Sequence, residues 1–250
     1  MRYDKAANTE NSNLRSVWSC CIHGKIVTMT ATDASTYLDA IDHLPPGSTL
    51  ILTDVTWEEY ESLVDDLGDH GSVRLAFDQG RLEVMSPTSD HDQLAIMCSL
   101  LAYVLGEETG SDVESFGSTT FKRRRSGKGA EPDACFYVQT AARIIGRRRL
   151  DLAKDPPPDV MVEIDISHDS TAKMAIYASM KVPEVWRYDG RESQMHIYHL
   201  RNDGYVEAPV SLAFPVLTAA ILTEFLEQSK TQGQTVTLRS FRQWARMAQG

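Results

Sequence analysis

Apolar positions along the chain recur with a period of two in some runs and near 3.6 in others, so strands and helices are mixed through it. The first 48 residues are polar and irregular and close on "LPPGS"; within them "KIVTMT" is a candidate strand and "DASTYLDAI" a short helix. "STLILTDVTWEEYESLVDDLG" gives a strand and then a helix. Thr56 stands as its N-cap, with Glu59 three residues on, the spacing of a capping box. "VRLAFDQGRLEVMSP" is a hairpin around "DQG" stopped by Pro87. The clearest helix starts near Ser89 or Asp90 and ends before Gly110. "EPDACFYV" is a short strand, and a basic stretch and the breaker "DPPPD" follow it. "PEVWRYDG" and "QMHIYHL" form a strand pair, and helix fills most of residues 217–247, broken near "SKTQGQT". Together these predict an α/β (α+β) fold: a mixed sheet flanked by helices, with residues 1–48 as an N-terminal extension and 49–250 as one domain.

One strand breaks the ordinary pattern. In "VMVEIDISHDS", Val160, Val162, Ile164 and Ile166 share one face, and Met161, Glu163, Asp165 and Ser167 the other. Two acids thus stand side by side in a strand that is otherwise apolar, where like charges repel. A helix, "DSTAKMAIYASMK", follows it, capped by Asp169 or Ser170.

Composition changes this picture little: 250 residues, 42% hydrophobic and 24% charged, suit a globular domain with a sizeable core. No apolar run approaches the roughly 20 residues that span a bilayer, and the N-terminus carries no apolar signal core, so a soluble cytoplasmic protein is expected. The four cysteines, Cys20, Cys21, Cys98 and Cys135, form no CxxC pair, which excludes a zinc ribbon and points to reduced thiols. His196 and His199 fall on opposite strand faces and make no metal pair.

Charge matters through its distribution. The net charge of −10 argues against a protein that coats nucleic acid generally. Yet Lys122, Arg123, Arg124, Arg125, Lys128, Arg143, Arg147, Arg148 and Arg149 crowd into residues 121–150 against only Glu131 and Asp133. Such a strip can hold a phosphate backbone, or it can be two solvated loops. Thr119 and Thr120 lie ahead of it, and Gln79 and Arg81 flank the hairpin turn, where a phosphate can approach.

Glu83, Asp133 and Glu163 sit on or beside strands, and carboxylates gathered in one place suit a hydrated divalent cation, Mg²⁺ or Mn²⁺, which removes their repulsion. Lys173, one turn into the helix after the Glu163 strand, is the candidate positive group, and His91 at the start of the long helix is a second polar candidate.

The stretches "GRLEVMSPTSDH", "EPDACFYVQ", "DPPPDVMVEIDIS", "K…IY" and "VPEVWRYDG", in this order, resemble the Uma-type restriction endonuclease family of the PD-(D/E)XK nuclease superfamily. The resemblance covers roughly residues 50–247. It implies a restriction-endonuclease-like core and a metal-dependent DNA endonuclease. Asp133, Glu163, Lys173 and His91 would be its catalytic residues, and Glu83, Asp133 and Glu163 its metal ligands. The superfamily's lysine lies two residues after the strand acid, and here Asp165 stands there. In this group the lysine comes from the next helix, where Lys173 fits, and Asp165 is then an extra ligand or a partner for Lys173. DNA would meet the strip Lys122, Arg123, Arg124 and Arg125. The rival expectation is an inactive interaction or DNA-binding module on the same fold. Oligomeric state stays open, a homodimer included.

Overall fold

The computed structural model describes residues 16–22, 25–31, 34–68 and 73–249, with side chains from residue 38 onward. Residues 1–15 of the expected extension, and the side chains of Cys20 and Cys21, lie outside the described residues. In chain order the elements are β1 (Ser16–Ile22), β2 (Lys25–Ala31), α1 (Ala34–Asp42), β3 (Thr49–Leu52), α2 (Trp57–Leu67), β4 (Arg74–Asp78), β5 (Arg81–Met85) and α3 (Ser89–Thr109). Then come β6 (Glu114–Ser115), β7 (Phe121–Arg123), β8 (Lys128–Ala130), β9 (Ala134–Tyr137), β10 (Val160–Asp165), α4 (Thr171–Met180), β11 (Glu184–Asp189), β12 (Gln194–Arg201), β13 (Gly204–Ala208), α5 (Ala219–Gln232) and α6 (Gln234–Met247).

The mixed α/β architecture is the one expected, but the strands divide into two sheets rather than one. A seven-stranded sheet runs in the order β2-β1-β3-β5-β4-β8-β7, and a six-stranded sheet in the order β13-β12-β11-β10-β9-β6. The division follows from two separate apolar faces. Leu50, Leu52, Leu75, Phe77, Leu82 and Val84 of the first sheet pack under α1 and α2. Val160, Val162, Ile164, Trp186 and Ile197 of the second pack under α3, α5 and α6. Between the sheets, α4 buries Ile176, Tyr177 and Met180 against Met161 and Val185 on one side and Ala76, Phe121 and Ala130 on the other.

Local chemistry fixes the elements that carry the site. Thr56 and Glu59 form the capping box at α2. Thr88 accepts from the His91 amide and so caps α3, which stops at Gly110 in the left-handed conformation that glycine tolerates. β10 and β11 are parallel, joined through α4 in a βαβ unit, while the other pairings of the sheet are antiparallel. Gly190 follows β11; a Cβ there would stand 2.7 Å from the Asp165 carbonyl, so the chain can close on the end of β10 only without a side chain.

The basic stretch is not the pair of loops that its charge suggests. β7 and β8 form a hairpin there, closed by a 3₁₀ turn at Arg124–Ser126. Among the described residues no helix is long and apolar enough to cross a membrane.

Candidate active site

The alternation expected of β10 holds for every residue of the strand. Its odd-numbered side chains turn towards α4, where Met161 is packed and where Glu163 and Asp165 are buried. Glu163 is inaccessible to solvent. Its Oε2 accepts from the Lys173 amine at 2.9 Å, and its Oε1 accepts from the Tyr177 hydroxyl. Both donors come from one face of α4, four residues apart, which is one helical turn. The Lys173 amine also donates to the Glu131 carbonyl at 3.0 Å.

Asp133 enters from the segment before β9, beside β10. Its Oδ2 accepts from the Ile164 amide at 2.7 Å, and His91 Nε2 lies 3.0 Å from the same oxygen. Its Oδ1 is buried with no hydrogen-bond partner, and Arg74 Nε stands 3.9 Å from it. Asp133, Glu163, Lys173 and His91 are therefore brought together, from the β9 edge, β10, α4 and the first turn of α3.

Electrostatics sort Glu163, Asp133 and Lys173. Burial pushes the Glu163 carboxyl up to about 8, with the Asp133 charge adding to the push and Lys173 and Tyr177 opposing it. Burial acts the same way on Asp133, but His91, Lys173 and the Ile164 amide outweigh it and hold that carboxyl below its ordinary value. Burial would lower the Lys173 amine; Glu163 and Asp133 reverse this and raise it, so it stays charged. One carboxyl inclined to keep a proton, one firmly ionised and one ammonium share a single buried pocket.

Glu83 is on β5 and pairs with Arg81 at 2.9 Å. It acts on the pocket as a charge that favours ionised Lys173. Among the described residues, no group of three or more His, Cys, Asp or Glu side chains is gathered closely enough to hold a metal.

Asp165 has other partners than Lys173. Its carboxylate accepts from the Ser170 amide at 3.1 Å and pairs with Arg187 at 2.6 Å, which fixes the turn into α4. Of the DNA strip, Lys122 pairs with Glu61 at 3.3 Å, Arg124 is held by Glu58 and Glu61, and Arg123 donates to the Ser179 carbonyl. Thr119 and Thr120 are likewise engaged, with the Phe116 carbonyl and Glu131. Gln79 sits in the hairpin turn with positive φ. His196 and His199 have separate partners, Glu207 and the Val210 carbonyl.

Sequence reasoning passed over Tyr177, read only as part of an apolar stripe, and Glu131, read only as a charge. It also missed His168, whose side chain is 7% exposed with neither ring nitrogen hydrogen-bonded, its ring centroid 5.8 Å from that of His91. Burial and the nearby Lys173 lower its pKa. The signal was present in "SHDS": a histidine between acids at the turn from strand to helix.

The family model Uma2, described as "Putative restriction endonuclease", matches residues 57–230. The chain belongs to the Uma2 family. A crystal structure from Anabaena variabilis, described as a putative nuclease belonging to DUF820, is similar to this chain at 16% identity and a TM-score of 0.46, covering 69% of this chain and 99% of that one. No curated protein matches the sequence. The Uma2 match spans all four residues gathered in the pocket, together with Tyr177, Glu131 and His168.

Proposed function

We propose that this Uma2 protein is a divalent-metal-dependent DNA endonuclease that hydrolyses phosphodiester bonds at the Asp133–Glu163–Lys173 pocket. The observation that carries the reading is Asp133 Oδ1: a buried carboxylate oxygen with no hydrogen-bond partner, next to a second buried carboxylate whose proton affinity it raises. A buried acceptor left open is costly unless something fills it. One or two carboxylates completed by water are the donor set that Mg²⁺ or Mn²⁺ takes, so these residues fit the ion. Asp133 and Glu163 would hold it, and Glu83, kept back by Arg81, would reach it through water.

A bound divalent ion would supply Lewis-acid stabilisation of the phosphoryl oxygens and a water of lowered pKa. The chain's own residues do the rest. Lys173, charged and braced by the Glu131 carbonyl, places a cation where negative charge gathers on the phosphoryl group. His91 and the Ile164 amide fix the Asp133 carboxylate through Oδ2 and leave Oδ1 open. The Tyr177 hydroxyl orients Glu163.

A non-catalytic module on the same fold is the second reading. One observation favours it: both Glu163 oxygens are already satisfied within the chain, by Lys173 and Tyr177. Titration calorimetry with Mn²⁺ separates the two. The endonuclease reading expects one specific site in the wild type that Glu163→Gln removes while the fold persists. Absence of a site in the wild type, or unchanged affinity in Glu163→Gln, refutes it in favour of the module.

A further inference from the structure

A polar cleft next to the pocket shares Glu131 with the chemistry above and is otherwise separate from it. It encloses about 680 Å³ between the end of α2, the start of β4, the 118–120 loop and the 148–150 segment. We propose that this cleft seats the phosphodiester backbone of duplex DNA, with Arg148 and Arg149 clamping phosphates and Arg74 carrying the line of positive charge inward to Asp133. The proposal rests on the nuclease reading and replaces the strip around Arg124 as the DNA path.

Three observations lead to it. The first is which charges are already spent. Lys122 and Arg124 are committed to Glu58 and Glu61, and Arg123 to a backbone carbonyl, while Arg125 is exposed without an ion pair among the described residues but lies outside the cleft lining. Arg148 and Arg149 line the cleft, are exposed, and have no ion-pair partner among the described residues. A guanidinium fork matches two phosphate oxygens at once, so an unpaired arginine pair at the mouth of a cleft suits a phosphate chain.

The second is continuity with the pocket. Arg74 lines the cleft, and its Nε is buried without a hydrogen-bond partner 3.9 Å from Asp133 Oδ1. Glu131 also lines the cleft with its side chain while its carbonyl holds the Lys173 amine. The cleft therefore abuts the pocket through Arg74 and Glu131.

The third is how little opposes an anion there. Among the described residues, two acids line the cleft. Glu131 has its carboxylate taken by the Leu75 amide at 2.9 Å and the Thr120 hydroxyl at 2.5 Å, and Arg74 is paired with Asp92 at 3.4 Å, which leaves exposed Asp65 against Arg148 and Arg149. Ser118 adds a hydroxyl to the lining.

The test is binding of a labelled DNA duplex in chelator, followed by anisotropy over a range of salt, for wild type, R148A/R149A and R124A/R125A. Each lost phosphate contact removes about 0.9 from the slope of log affinity against log salt, so R148A/R149A should flatten the slope by about 2 and weaken binding about 10- to 100-fold at 0.1 M salt. R124A/R125A should keep the wild-type slope, and R148K/R149K should restore most of it. Equal melting temperatures confirm that these exposed substitutions leave the fold intact. The cleft is refuted if R148A/R149A keeps the wild-type slope or if R124A/R125A loses as much. Cleavage with Mn²⁺ separates the two levels of inference. A wild type that cleaves while R148A/R149A binds normally overturns the cleft alone. A wild type that does not cleave, beside a variant that loses binding, overturns the nuclease and leaves the cleft. A wild type that binds no duplex overturns both.

Discussion

Replacing Lys173 with methionine tests the electrostatics of the pocket without any assumption about substrate. Methionine keeps most of the volume and removes the charge that Glu163 and Asp133 share. The amine now donates to Glu163 and to the Glu131 carbonyl, and its loss leaves both short of a donor. At pH 7 Glu163 largely keeps its proton, so the charge left short of a partner is that of Asp133, which Lys173 helps hold ionised; removing one partner from a buried charge pair typically costs about 3–5 kcal/mol, and that is the loss expected at pH 7. The pH dependence is more diagnostic. A carboxyl raised from its ordinary value to about 8 in the folded state contributes stability that is fully present below the unfolded value and is lost as pH rises to about 8. The wild type should therefore lose stability over that window and level off above it. In Lys173→Met the amine no longer holds Glu163 down, so its carboxyl rises further and the decline continues past pH 8. The wild type is half-titrated at pH 8 and still loses about 0.4 kcal/mol to pH 9, so the gap between the two proteins should widen by about 1 kcal/mol from pH 8 to pH 9. Adding Glu163→Gln removes the titrating group, and with it both the decline and the widening. Urea unfolding in chelator at pH 6, 7, 8 and 9 measures all of this. A loss under about 1 kcal/mol at pH 7, far below the usual penalty for an orphaned buried charge, would refute the reasoning. So would a gap that narrows above pH 8.

Three further outcomes follow from single contacts. Asp165→Asn should cost about 1–3 kcal/mol in urea unfolding, because Arg187 and the Ser170 amide lose an ionised acceptor; Mn²⁺ affinity should not change, and a loss equal to that of Glu163→Gln would make Asp165 a ligand. Thr56→Ala breaks the capping box of α2 and should cost about 1 kcal/mol, a figure that an unchanged urea midpoint would contradict. Cys98 and Cys135 are buried, and burial pushes both thiols up to about 12, so mass spectrometry after thiol labelling at pH 8 should find them unmodified in folded protein and modified in urea.

The sequence showed most clearly the elements whose own periodicity decides their structure. The capping box of α2, the hairpin of β4 and β5, the long α3 and the alternating faces of β10 follow from neighbours in the chain. The strands that escaped notice are short or lack alternation. β7 and β8 have three residues each and were hidden by their charge, and β13 shows no alternation of burial. Their pairing is set by partners elsewhere. The site divides in the same way. Asp133 and Glu163 stood out because acids in apolar strands are costly, and Lys173 stood out by its place one turn into the helix after the Glu163 strand, a place that the family resemblance then matched. The Glu131 carbonyl could not be foreseen, since any residue has one. Nor could the neutralisation of Arg124, whose partner Glu58 lies 66 residues away.

The turn between β10 and α4, residues 166–170, acts as a length gauge. Surface connections usually accept insertions and deletions freely. This one spaces Lys173 from Glu163, and every residue added or removed there would turn the helix by about 100° relative to the strand. One extra residue would swing the amine and the Tyr177 hydroxyl off Glu163 together, while Asp165 would lose its grip on the Ser170 amide. A lysine two residues along the same strand would have its position guaranteed by the pleat. Carried on the helix, it depends on a fixed residue count, so in Uma2 chains that keep their lysine in α4 this short turn should vary in composition and not in length.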